Sequence, residues 1–221
     1  MKYKYAFFDL DGTLTDSRPG IINSVIYALD YYKIPYTNRE FLNFFIGPPL
    51  LESFMNYCHF DEKKGLEAVM KFRERYNDIG VYENCAFEGI HEVLKKLKNV
   101  GLILGVATSK PHHLMLRVLE KYDLAKFFTA VEGSKIDSVT YRKSMVVQEV
   151  LDDLNVPKED YDKVIMVGDR YHDIEAAKEC GLASMGALYG YGSREEFDTY
   201  GADYIAESVK DVAKIILNWQ D

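Results

Sequence analysis

Two carboxylates stand one residue apart near the start of this chain. They are Asp9 and Asp11, in the run Phe7-Phe8-Asp9-Leu10-Asp11-Gly12-Thr13. On an extended backbone, positions i and i+2 fall on the same side. Like charges this close repel unless a cation or a shared proton intervenes. A hard cation such as Mg²⁺ resolves the conflict, because it takes oxygen ligands. A carboxylate can also attack phosphorus, while its neighbour protonates the leaving oxygen and later activates water. Gly12 permits a tight turn that aims backbone N–H groups at a phosphate, with Thr13 beside it.

Three more polar groups have the types this chemistry needs. Thr108-Ser109-Lys110-Pro111 offers hydroxyls ahead of a helix expected to start at Pro111, an anion site or, read alone, a plain helix cap. Gly168-Asp169-Arg170-Tyr171-His172-Asp173 adds two acids, the second one turn along the next helix. Several carboxylates and a phosphate also need an ammonium. Lys143 is the candidate, with Lys135 and Arg142 as local rivals.

Elements that would position these groups are visible in the patterning. Apolar runs of strand length occur at Tyr5–Phe8, Leu102–Ala107, Val164–Val167 and Ala183–Leu188, with weaker ones at Phe127–Val131 and Tyr204–Ile205. Helical periods alternate with them at Ile90/Val93/Leu94/Leu97, Met115/Val118/Leu119/Tyr122, Val147/Val150/Leu151/Leu154 and Val209/Val212/Ala213/Ile216. This predicts an α/β fold, a Rossmann-like parallel sheet with helices on both faces. Three strands end in the polar groups above, as a crevice beyond the carboxyl ends of a sheet requires.

Residues 17–83 break that rhythm. Ile22, Val25, Ile26 and Leu29 mark a helix stopped near Pro35; Thr37 or Asn38 is placed to cap a second. Further helices are expected over Leu50–Tyr57 and Asp61–Tyr76, after a break at Gly47-Pro48-Pro49. The expected organisation is an α/β core of 1–16 and 84–221 carrying a helical cap of 17–83, which acts as a lid.

Composition narrows the partners. The 221 residues are 48% hydrophobic and 28% charged, ordinary for a globular chain. A net charge of −8 argues against nucleic acid, whose partners carry a basic footprint. Cys58, Cys85 and Cys180 have no zinc-ligand spacing and are expected to be small buried hydrophobes in a reducing compartment. No apolar run suits a membrane span, and Asp9 interrupts any signal-peptide core, so the expectation is a cytoplasmic protein with no membrane partner.

Together these motifs resemble the haloacid dehalogenase superfamily, and within it the phosphoglycolate phosphatase-like group with a helical cap. Asp9 to Thr13 matches its DxDGT motif, Thr108 its second, Lys143 its third, and Gly168, Asp169 and Asp173 its GDxxxD motif. Tyr189-Gly190-Tyr191-Gly192-Ser193 resembles its C-terminal core segment, and Ser144 stands where relatives often have proline. The resemblance implies a Mg²⁺-dependent phosphatase. Asp9 would be nucleophile and metal ligand, and Asp11 general acid/base with its backbone carbonyl on the metal. Thr108 would hydrogen-bond the transferring group, Lys143 would neutralise charge, and Asp169 and Asp173 would ligate metal. Gly12, Thr13 and Ser109 would line the phosphate site. Ile46, Gly47 and Pro48, in the cap loop, would approach the substrate. The partner would be a small phosphorylated metabolite, acted on by a monomer or homodimer. Phosphoglycolate, a nucleoside 5′-monophosphate, a sugar phosphate and pyrophosphate stay open as substrates. A phosphomutase of the same superfamily, or a non-catalytic phosphometabolite-binding protein, is the alternative.

Overall fold

The computed structural model describes residues 2–46, 50–135 and 142–218. In chain order the strands and helices are β1 (Tyr5–Phe8), β2 (Thr15–Asp16), α1 (Arg18–Tyr31), α2 (Leu50–Cys58), α3 (Glu62–Tyr76) and β3 (Cys85–Ala86). They continue as α4 (Ile90–Asn99), β4 (Ile103–Pro111), α5 (His112–Lys121), β5 (Ala130–Ser134), α6 (Lys143–Asp153) and β6 (Val164–Gly168). The last are α7 (Tyr171–Glu179), β7 (Ala183–Ala187), α8 (Arg194–Tyr200), β8 (Tyr204–Ala206) and α9 (Val209–Leu217). The chain divides into two units, Met1–Asp16 with Ala86–Asp221, and Ser17–Cys85.

The first unit is built on a six-stranded sheet of order β5-β4-β1-β6-β7-β8. Its paired strands are all parallel. β1 is central and buried along its whole length, which is why its sequence is a continuous apolar run rather than an alternating one. Tyr5 and Phe7 join a core cluster with Val146, Val147 and Val150 of α6 and Ala176 and Ala177 of α7. The pleat sends Ala6 and Phe8 to the opposite face, where both are also buried. After β1 the sheet grows outward through β4 and β5, then restarts on the other side of β1 with β6. The switch point therefore falls at the tip of β1, where doubly wound sheets open their crevice.

β4 differs from expectation. It does not stop at Ala107 but runs to Pro111, and α5 begins at His112 with no side-chain cap. Thr108 and Ser109 are therefore strand residues, not helix caps. The β4–β5 ladder is irregular between Thr108 and Pro111, the mark of a bulge.

The second unit is helical. α3 packs against both α1 and α2, and Asp61 caps α3 by accepting from the Lys64 N–H at 2.8 Å. Phe45 meets Phe54 at 5.0 Å and Tyr57 at 5.3 Å between ring centroids. Arg75 grips Glu83 through two hydrogen bonds of 2.7 and 2.8 Å, and Asn23 donates to the same carboxylate. The helix expected after Thr37 and Asn38 is only a 3₁₀ segment, Glu40–Phe45. Asn38 does cap it, accepting from the Phe41 N–H at 2.9 Å.

The cysteines also differ from expectation. Cys85 is exposed, and Cys58 and Cys180 are half-buried. Cys58 closes α2, and Cys180, at the end of α7, packs only partly buried against the edge of the core cluster. Among the described residues, no helix is long and apolar enough to cross a membrane.

Candidate active site

The site begins where β1 ends. The Asp9 N–H donates to Val167 O at 2.9 Å, so the ladder to β6 carries one residue beyond the strand and fixes the backbone under its carboxylate. The chain then turns back on itself. Leu10 O accepts from the N–H groups of Leu14 and Thr15, and Gly12 N–H donates to Thr15 O at 2.7 Å. Gly12 has φ +85°, and a Cβ there would lie 2.1 Å from Asp169 Oδ2. Glycine is required twice over, by its dihedral and by the acid behind it.

Asp169 follows β6 directly and is wholly buried. Its carboxylate accepts from the Tyr191 N–H at 3.0 Å and from the Thr13 hydroxyl at 3.3 Å. Asp173 lies in the first turn of α7, where one oxygen accepts from the Arg170 N–H at 3.1 Å. The helix-capping role open to any first-turn acid is thus filled by Oδ2 and leaves Oδ1 for the site. Asp9, Asp169 and Asp173 bring one carboxylate oxygen each within 4.8 Å of one another.

Lys143, the first residue of α6, answers part of that charge. Its Nζ lies 2.7 Å from Asp9 Oδ1 and 2.8 Å from Asp173 Oδ1. Of its rivals, Lys135 pairs instead with Glu132 and Glu149, and Arg142 is exposed. Burial works against the Lys143 ammonium, but Asp173 and Asp9 outweigh it and hold its pKa above that of an ordinary lysine.

One ammonium does not balance three clustered acids, two of them buried. Burial first, then the charges of Asp173 and Asp9, pushes Asp169 well above the usual carboxylate range. Burial likewise raises Asp173 to about 6 in spite of Lys143. Asp9 Oδ1 and Asp173 Oδ1 are buried and meet Lys143 as ion pairs, without an aligned hydrogen bond. An all-oxygen donor set with uncompensated negative charge fits a hard divalent cation.

The remaining residues singled out in the sequence fall as follows. The Asp11 side chain stands outside the three-carboxylate group and is paired with Lys110, whose Nζ is 2.8 Å from Oδ2 and 3.2 Å from Oδ1. Thr108 is buried, and its hydroxyl accepts from the Lys110 N–H at 3.3 Å. Ser109 is exposed, since strand alternation sends it opposite to Thr108 and Lys110. Ile46 is buried, at the end of the 3₁₀ segment in the helical unit. Gly47 and Pro48 lie outside the described residues.

Three residues of the site carry no assignment from the sequence. Tyr191 holds Asp169 through its backbone and donates its hydroxyl to Asp16 at 2.9 Å. The Tyr189 hydroxyl donates to Thr13 O at 3.1 Å, and burial raises its pKa. A Gly-rich run after β7, at the tip of a sheet strand, was the available signal. Lys110 is the third; the sequence places it in the Thr108–Pro111 run but gives it no role of its own.

Known proteins resemble this chain in sequence and fold. A family model for haloacid dehalogenase-like hydrolases matches residues 6–187. A 5′-nucleotidase of Pseudomonas aeruginosa is 40% identical over 196 residues, covering 89% of this chain and 87% of its own length. The pyrophosphatase PpaX of Oceanobacillus iheyensis is 30% identical over 220 residues, covering 98% of both chains. The crystal structure of a putative phosphatase from Clostridium difficile superposes with a TM-score of 0.89 at 44% identity, over 98% of this chain and 99% of that one. The chain belongs to the haloacid dehalogenase-like hydrolases and is a phosphatase of that family.

Proposed function

We propose that the protein is a Mg²⁺-dependent phosphatase that hydrolyses a small phosphomonoester through an aspartyl-phosphate on Asp9. The observation that carries this reading is Lys143 bridging Asp9 and Asp173 beside the buried Asp169. Asp9, Asp169 and Asp173 would hold the cation, together with the Asp11 backbone carbonyl. When bound, Mg²⁺ supplies positive charge against the phosphoryl oxygens.

The chain's own residues divide the remaining work. Lys143 lowers the repulsion between the Asp9 carboxylate and a dianionic substrate. The Thr108 hydroxyl orients the phosphoryl group, whereas the Gly12 and Thr13 N–H groups are taken up inside the turn by Thr15 O and Leu10 O. An Asp9 oxygen bonds to phosphorus as the ester P–O bond breaks, and Asp11 gives its proton to the departing oxygen. Asp11 then takes a proton from water as the water oxygen attacks phosphorus. The acyl phosphate breaks, releasing inorganic phosphate and restoring the Asp9 carboxylate.

For the substrate we propose a nucleoside 5′-monophosphate, supported by the 40% identity to the 5′-nucleotidase of P. aeruginosa. A net charge of −8 leaves nucleic-acid polymers an unsuitable partner. The test is phosphate release from AMP, phosphoglycolate, glucose 6-phosphate and pyrophosphate, with and without Mg²⁺. Highest kcat/KM on AMP, lost with chelator, is the expected result. Preference for phosphoglycolate or pyrophosphate overturns the substrate assignment. No release from any ester, a chromogenic one included, overturns the enzymatic reading.

A further inference from the structure

Lys110 is a buried cation that the chemistry above does not use. Its side chain is 3% exposed, and an ammonium so enclosed is costly unless paired. Its ion-pair partner is Asp11, the proposed general acid/base, and the ammonium reaches both carboxylate oxygens. The two lysines of the site therefore divide its acids. Lys143 takes Asp9 and Asp173, while Lys110 takes Asp11.

The backbone is arranged to make this contact. β4 is the hydrogen-bonded neighbour of β1, with Phe8 paired to Val106. Extension of β4 past that point carries Lys110 out alongside the turn that bears Asp11. Over the same residues the β4–β5 ladder loses register, skipping Ser109 and Lys110. Bulges of this kind re-aim a side chain beside an active site. Gly133 of β5 makes the bulge possible, because a Cβ there would lie 2.6 Å from Lys110 O.

We infer that Lys110 is a positioning residue that holds the Asp11 carboxyl in the orientation from which it exchanges protons with the leaving oxygen and with water. The inference rests on the phosphatase reading. The contact survives protonation of Asp11. The ammonium lies nearer Oδ2, at 2.8 Å, than Oδ1, at 3.2 Å, so a proton carried on Oδ1 would leave the shorter contact in place. Without Lys110 the Asp11 side chain would sample other rotamers, and misplacement of a reacting group by an ångström costs about 100-fold in rate.

Leaving-group dependence separates this role from simple structural support. In kcat/KM only the first phosphoryl transfer counts, and a good leaving group needs no proton. Lys110→Gln should therefore lower kcat/KM about 100-fold for an alkyl phosphate but less than about 3-fold for 2,4-dinitrophenyl phosphate. Asp11→Asn should show the same pattern more strongly. The kcat for dinitrophenyl phosphate should still fall, because hydrolysis of the acyl phosphate needs Asp11 as base. Lys110→Arg should restore part of the loss, and Gly133→Ala, which displaces the bulge without touching a charge, should reproduce its pattern. Circular dichroism of each variant should match wild type. An equal loss on both esters in Lys110→Gln and Gly133→Ala, or no loss in either, overturns the inference while wild-type activity leaves the phosphatase reading standing. Wild type inactive on both esters overturns the reading and the inference with it.

Discussion

The tip of β1 and the helical unit are held together by opposite means. At the tip, Asp9, Asp169 and Asp173 crowd their oxygens within 4.8 Å, and burial raises the pKa of two of them. Those acids would lower their energy by moving apart, which the sheet and the start of α7 prevent; the raised pKa values of Asp169 and Asp173 are the mark of that crowding. In the helical unit, Phe45, Phe54 and Tyr57 pack ring on ring, and its charged network is paired, Arg75 on Glu83. The first region spends stability on a site; the second is ordinary packing. Substitutions should therefore separate activity from stability in opposite directions.

The largest contrast should come from Asp9→Asn. It should abolish turnover, by about 10⁴-fold or more, without lowering the melting temperature. A variant that is pure, folded and still active would remove Asp9 from the mechanism. Phe54→Ala should do the reverse. Phe54 is fully buried, so its loss should cost about 3–5 kcal/mol of unfolding free energy. In the fraction that stays folded, kcat should be near wild type; a proportionate loss of kcat would erase the contrast.

Mg²⁺ should shift the balance at the tip alone. At about 100 times its Kd it should add about 2.7 kcal/mol to stability, read as a rise in melting temperature over chelator-treated protein. Asp169→Asn should lose that rise. In chelator, the same variant should melt above wild type, because a strained buried carboxylate is gone. A metal-free Asp169→Asn that melts lower would show that its bonds to Tyr191 and Thr13 outweigh the repulsion.

Two smaller effects belong to the helical unit. Asp61→Ala removes the N-cap of α3 and should cost about 1 kcal/mol with kcat unchanged. Glu83→Gln should cost about 0.5–1 kcal/mol, since both partners of the Arg75 pair are partly solvated. Hydrogen bonding from Arg75 chiefly, against burial, holds Glu83 below its ordinary 4.5. A carboxylate with a depressed folded pKa contributes its stability in full above the ordinary value. It loses that contribution as pH falls through the lower folded one. Urea midpoints of wild type and Glu83→Gln should therefore differ constantly above about pH 5.5 and converge in acid. A difference independent of pH would assign the effect to packing.

Much of the architecture was legible because burial on two faces leaves a plain mark. Tyr5–Phe8 and Val164–Val167 are continuous apolar runs, and both are central strands. Weaker signals were misplaced. Phe127 was read into a strand but sits in a 3₁₀ turn, and β5 starts at Ala130. The seven-residue α8 was missed, because two turns show too little periodicity. The end of β4 was missed for another reason. Thr108-Ser109-Lys110-Pro111 has the composition of a turn, and its strand conformation rests on β5, which pairs with Thr108 and Pro111 beyond the end of β1.

The sequence by itself determined which chemistry was possible. Carboxylates at i and i+2 after a buried strand, a second acid pair after another, and a lysine at a helix start each have ordinary structural uses alone, and their joint order is what points to one crevice. The tertiary structure decided the pairings. It chose Lys143 over Lys135 and Arg142, split Asp173 between a helix cap and the site, and set Lys110 on Asp11. Those partners are brought together by the order of strands in the sheet. Charge acts over a few ångströms of space, whereas sequence spacing measures distance along the chain.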